Sequence, residues 1–131
     1  MTPQRRTELT DDLVRLILDH AGSVPHLEAL LLLWESAPQP WSVAEIGSRV
    51  YITRADAERI LRDLAQRGLV VATAPDWYAL TDEPAGRERA ATIALAYRDN
   101  TSRVATLIHA QPSKAVRDFA QAFEIKDRKK D

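Results

Sequence analysis

The residues of this chain best placed to do chemistry are three arginines in one stretch, Arg54, Arg59 and Arg62, interleaved with the carboxylates Asp56, Glu58 and Asp63. A guanidinium is a planar fork of donors that fits phosphate oxygens or the two acceptors on the major-groove edge of guanine. A carboxylate accepts from cytosine N4, and it also repels phosphates. The same six charges fit a solvated helix face with local ion pairs, such as Glu58 with Arg62. Little else reads as a reaction centre. The three histidines, His20, His26 and His109, are scattered without i, i+4 spacing on a helix, and cysteine is absent. Neither a metal site nor a cofactor is therefore expected. The four glycines are isolated, so no glycine-rich phosphate loop is present. No serine with a nearby histidine suggests a nucleophile, and Asp11-Asp12 reads as charge at a helix start. An enzyme is not expected.

The elements that position the arginines begin with two helix starts of one kind. Ser42 is followed three residues later by Glu45, and Thr53 three residues later by Asp56. In a capping box the hydroxyl accepts an orphan N–H of the first turn, and the acid reaches back. Glu45 fits that role better than the shorter Asp56. The first of these helices is short, with Ile46 and Val50 inward. The second carries Ala57, Ile60, Leu61 and Leu64 as an i, i+3, i+4, i+7 stripe. Gly68 ends it in the left-handed C′ position. Leu69-Val70-Val71 and Trp77-Tyr78-Ala79-Leu80 then flank Ala74-Pro75-Asp76 as two short strands around a turn. Trp77 and Tyr78 are expected to pack that hairpin onto the helices. Helix, turn, helix, hairpin is the order of a winged helix-turn-helix, and the fold class expected is mainly α with one small β-hairpin.

These residues resemble a known family over roughly residues 25–87. The bacterial winged helix-turn-helix regulators, particularly the multiple-antibiotic-resistance type, carry a Ser/Thr, a Glu-Leu-Ala-like helix and a short turn. A helix ending in Leu-x-x-(Lys/Arg)-Gly-Leu-Val and a Leu-Thr after the wing complete their pattern. Here these are Ser42, Glu45-Ile46-Gly47, Tyr51-Ile52-Thr53, Leu64-Ala65-Gln66-Arg67-Gly68-Leu69-Val70 and Leu80-Thr81, followed by Gly86-Arg87. The resemblance implies a cytoplasmic bacterial protein that binds double-stranded DNA as a homodimer and acts as a sequence-specific transcriptional regulator. On that pattern Ser42 and Arg49 sit near the DNA backbone and Thr53 caps the reading helix. Arg54, Arg59 and Arg62 then make base or phosphate contacts, and Asp56 or Glu58 adds selectivity. The chain departs from the pattern in its short wing, which lacks the usual Asp-x-Arg, and in the acids on its reading helix. Those departures support the alternative, a winged-helix module that binds another protein.

The whole chain sets the remaining expectations. At 131 residues it is long enough to bury a core without staples. The apolar run Ala29 to Trp34 is too short to span a membrane, and Met1 to Thr10 has no apolar core of a secretory signal. Net charge is −1, but it is unevenly spread. Residues 1–86 hold 8 Lys/Arg and 13 Asp/Glu, and residues 87–131 hold 10 and 6. Residues 1–24 read as an N-terminal helical extension, with a helix from about Asp11 to His20. Residues 25–81 read as the winged helix-turn-helix, with Leu27, Leu30, Leu31, Leu33 and Trp34 on its central helix. Residues 82–131 read as C-terminal helices for dimerisation: one long helix to about Ala110, then a helix capped by Ser113 carrying Ala115, Val116, Phe119 and Phe123. The long helix spaces Ile93, Tyr97, Asn100, Val104 and Leu107 in a heptad-like register, which predicts a dimer seam with Asn100 fixing its register.

Overall fold

The computed structural model describes residues 8–110. Its elements, in order, are α1 (Asp11–His20), α2 (Val24–Glu35), β1 (Trp41–Ser42), α3 (Val43–Val50), α4 (Arg54–Gln66), β2 (Val70–Ala74), β3 (Trp77–Leu80), α5 (Pro84–Asp99) and α6 (Thr101–His109). The helix expected from Ser113 lies outside the described residues.

Local chemistry starts each of the first helices. Thr10 Oγ1 accepts the Leu13 N–H at 3.2 Å, and Asp11 and Asp12 lie at the positive end of α1. Ser23 Oγ accepts the His26 N–H at 3.2 Å, and Pro25 sits in the first turn of α2, where no N–H is needed. Leu27, Ala29, Leu30 and Leu33 are fully buried, which makes α2 the central helix that α3, α4 and α5 pack around. Trp41 donates through Nε1 to Ser36 Oγ at 2.8 Å, closing the connector between α2 and β1.

Ile46, Ala57, Ile60, Leu61 and Leu64 join the α2 leucines in one core that runs from Ile17 to Val104. The sheet is antiparallel in the order β1-β3-β2. Trp41 pairs with Tyr78, and Val70 pairs with Leu80. An irregularity between Ala72 and Ala74 sets Thr73 aside, and Asp76 turns the hairpin at φ 65. Tyr78 packs against the core, as expected, whereas Trp77 is exposed.

The single long C-terminal helix expected from the sequence is two helices. Asn100 breaks it at φ −137, ψ 37. Its Nδ2 donates to the Ala96 carbonyl at 3.0 Å, and Thr101 Oγ1 donates to the Tyr97 carbonyl at 2.9 Å. Side chains of this kind offer carbonyls an alternative to the helical ladder, which is why they end helices. The seam is corrected with it. Ile93, Tyr97 and Val104 are buried in the core of their own chain and are not available to a second copy. Their 4-and-3 spacing is the ordinary inward stripe of helices that cover α1 and α2. Burial raises the Tyr97 phenol to about 12, and the charge and hydrogen bond of Glu28 on α2 push the same way.

Candidate nucleic-acid interface

Two capped helices with a tight turn build the site. Ser42 and Glu45 form a full capping box, with Glu45 N–H to Ser42 Oγ at 3.1 Å and Ser42 N–H to Glu45 Oε1 at 3.1 Å. The turn is drawn in on Gly47, whose carbonyl accepts the N–H of Tyr51 and of Ile52. A Cβ on Gly47 would sit 3.2 Å from the Ile52 carbonyl oxygen, so glycine permits the approach. Tyr51 closes α3 in the left-handed region, at φ 64, ψ 44. For a non-glycine residue that conformation costs roughly 1–2 kcal/mol. Thr53 then caps α4, its Oγ1 accepting the Asp56 N–H at 3.1 Å.

The helix start at Thr53 therefore keeps half of the expected box. Asp56 turns instead to Arg59, 3.2 Å away. Arg62 pairs with Glu58 at 2.6 Å, and Arg54 pairs with Asp76 of the hairpin turn at 3.2 Å. All three arginines are exposed on the outer face of α4. Each of them stands beside one carboxylate. Exposed pairs of this kind contribute only about 0.3–0.5 kcal/mol, so they orient the guanidiniums without locking them. The carboxylates nevertheless cancel much of the positive potential that a phosphate would meet.

Ser42, Thr53 and Arg49, also expected at the site, each have a partner within the chain. The Ser42 and Thr53 hydroxyls are occupied by helix N–H groups, so both act first as caps. Arg49 lies over the Trp41 ring, 5.2 Å from its centroid. Of the residues expected at a dimer seam, Asn100 stands at the break before α6 and Leu107 within α6.

Three features escaped the sequence reading. Asp76 is the hairpin's single charge. Its pairing with Arg54 depends on the turn folding back against the starts of both helices, since the N–H of Val43, the first residue of α3, bonds to the Asp76 carbonyl at 2.9 Å. Tyr51 read as part of a turn, and nothing in its type announced that its side chain is 93% exposed. Ser23, His26 and Asp63 form a chain of contacts that the sequence did not by itself point to. The i, i+3 spacing of Ser23 and His26 was the available signal. His26 Nε2 lies 2.8 Å from Asp63 Oδ2, and its Nδ1 meets Ser23 Oγ. Burial holds the imidazole below its ordinary 6.5, against the bond and charge of Asp63, with Arg59 and Arg67 adding to the lowering. A neutral ring then donates from Nε2 to Asp63 and accepts at Nδ1 from Ser23. The Ser23 oxygen also takes the N–H that starts α2. The relay therefore pins α2 to α4. It borders an open cleft of about 490 Å³ lined by His26, Arg59, Arg62, Asp63 and Gln66. Among the described residues no group of three or more His, Cys, Asp or Glu side chains could hold a metal ion.

A helix-turn-helix followed by a short hairpin and flanked by further helices defines the winged-helix class. Solved structures place the fold within that class. A MarR-family transcriptional regulator from Streptomyces coelicolor superposes with a TM-score of 0.54 at 21% identity, covering 92% of this chain and 84% of its own. The YusO protein of Bacillus subtilis gives 0.51 at 16% identity, covering 88% and 79%. A multiple antibiotic-resistance repressor from Listeria monocytogenes gives 0.50 at 14% identity, with the same coverage of 88% and 79%. The chain thus has the winged-helix fold of the MarR-family regulators. No family model and no curated protein matches it.

Proposed function

We propose that this chain is a sequence-specific DNA-binding transcriptional regulator that works as a cytoplasmic bacterial homodimer and carries out no catalytic step. The observation that carries the reading is α4: a capped helix behind a tight turn, with Arg54, Arg59 and Arg62 all on its exposed face. A helix so placed enters the major groove by its first turns, and the helix before it lies against the backbone. Arg54 is then nearest the base edges, and Arg49, on α3, is nearest the phosphates. Asp56 and Glu58 add selectivity by orienting the guanidiniums or by accepting from cytosine. Pairing of two heads follows from the geometry of palindromic sites. Among the described residues no single helix is long and apolar enough to cross a membrane.

The second reading, a winged-helix module that binds a protein, is favoured by one observation. Every arginine on the face is paired with a carboxylate, and the hairpin turn carries only Asp76. Selection from a pool of random-sequence duplexes separates the two. The regulator enriches a palindromic site, and Arg54→Ala, Arg59→Ala and Arg62→Ala each weaken binding to it. A base-reading arginine should account for about 1–3 kcal/mol and relax selectivity at one position. A pool that enriches nothing, with a protein partner captured by the wild type and lost on Arg59→Glu, establishes the module instead.

A further inference from the structure

Tyr51 is the residue whose place in the fold its own chain explains least. Its ring is 93% exposed and contributes nothing to the core. Its backbone stands at φ 64, ψ 44, a region that bulky residues rarely enter and that glycine or asparagine occupies readily. The two residues that follow hold it there. Ile52 packs against the core, and Thr53 caps α4. The N–H groups of Tyr51 and Ile52 converge on the Gly47 carbonyl. A large aromatic side chain is thus presented on a rigid, unfavourable backbone with its ring in solvent. Outliers of this kind cluster at binding sites, where the surrounding structure maintains them.

The position narrows the partner. Tyr51 lies in the turn between α3 and α4, three residues before Arg54, the first residue of α4. In the docking that the proposed function requires, that turn sits where the groove meets the strand of phosphates. A phenol is a neutral donor, and its O–H can bond a phosphate oxygen without a guanidinium. Neutrality matters here, because Arg54, Arg59 and Arg62 each stand beside a carboxylate. We propose that Tyr51 is a DNA-backbone contact, its hydroxyl donating to a phosphate beside the groove that α4 enters. This inference rests on the DNA-binding reading above.

The test compares wild type, Tyr51→Phe, Tyr51→Asn and Arg59→Ala for binding to random-sequence duplexes over a range of salt, together with their melting temperatures. Loss of one charge-assisted hydrogen bond should weaken Tyr51→Phe and Tyr51→Asn by about tenfold, whatever the sequence. Because the phenol releases no counterion, both should keep the wild-type salt slope, whereas Arg59→Ala should lower it by about one if it contacts a phosphate. Tyr51→Asn should melt at or above the wild-type temperature, since asparagine suits the left-handed turn. Wild-type affinity in Tyr51→Asn would overturn the contact and leave the DNA-binding reading intact. A melting temperature well below wild type would make Tyr51 structural and also overturn it. Full affinity in Tyr51→Phe alone would remove the hydroxyl from the contact. If wild type binds no duplex at any salt, the DNA-binding reading and this contact fall together.

Discussion

A methyl group on Gly86 would run into the Gly68 carbonyl oxygen and sit 2.8 Å from Thr81 Cγ2, so the start of α5 can lie against the end of α4 only without a side chain. Gly68 is required for a different reason. It stands at φ 77 with nothing within 4 Å of the place a Cβ would occupy. Gly86→Ala should therefore destabilise by overpacking, at least about 1–3 kcal/mol, because backbone cannot give way as a flexible side chain can. Gly68→Ala should cost about 1 kcal/mol through backbone conformation alone, and Gly68→Val more. Thermal melts of the variants check the ranking, and a harmless Gly86→Ala would show that the two segments do not meet as described. His26 makes a prediction in pH. Its folded value lies below the ordinary 6.5, chiefly through burial, so the unfolded chain takes the proton more readily. Its contribution is complete above about pH 6.5 and is lost as pH falls through the lower folded value. Between about pH 7.5 and pH 5 the wild type should lose more melting temperature than His26→Gln. Equal losses would assign the acid sensitivity to other groups.

Among the elements, α4 carries the question of function, and its ion pairs can be altered one at a time. Glu58→Gln removes the charge that faces Arg62 while keeping the side chain's length. Because an exposed pair contributes only about 0.3–0.5 kcal/mol, stability should hardly change. Affinity for mixed-sequence duplex should rise and its salt dependence steepen, since a phosphate now meets an uncompensated guanidinium. If affinity is unchanged, Arg62 does not face DNA. The helices themselves were legible in the sequence wherever one strong local signal stood alone. Ser42 with Glu45, Thr53 and Gly68 set their helix ends as expected, because caps and left-handed turns depend on residues within one helical turn. The stretch after Thr81 departs from the expected single helix because two signals compete there. The inward stripe Ile93, Tyr97, Val104 continues through Asn100, yet the Asn100 and Thr101 side chains end one helix and open another. The pairings Arg54 with Asp76 and His26 with Asp63 join separate elements, so no local pattern contained them.

For the whole molecule, the proposed pairing requires a different surface. The core already consumes Ile93, Tyr97 and Val104, the last only 2% exposed, so the stripe expected to meet a partner closes the protomer instead. What remains of that expectation is the outer side of α6, where Leu107 is 36% exposed beside Ser102, Arg103 and Thr106. A dimer in solution should scatter light as about twice 14.7 kDa at micromolar concentration. Two substitutions then separate folding from pairing. Val104→Asp places an unpaired charge in the core and should unfold the chain. Leu107→Asp changes a partly exposed residue and should leave the fold standing, but reduce the mass to that of one chain. If the proposed regulator reads a palindrome with two heads, the same variant should lose affinity for the full site and retain that of a half-site. A Leu107→Asp protein that stays dimeric would move the interface away from α6. A wild type that is monomeric at micromolar concentration and still selects a palindrome would mean that DNA itself brings the two heads together.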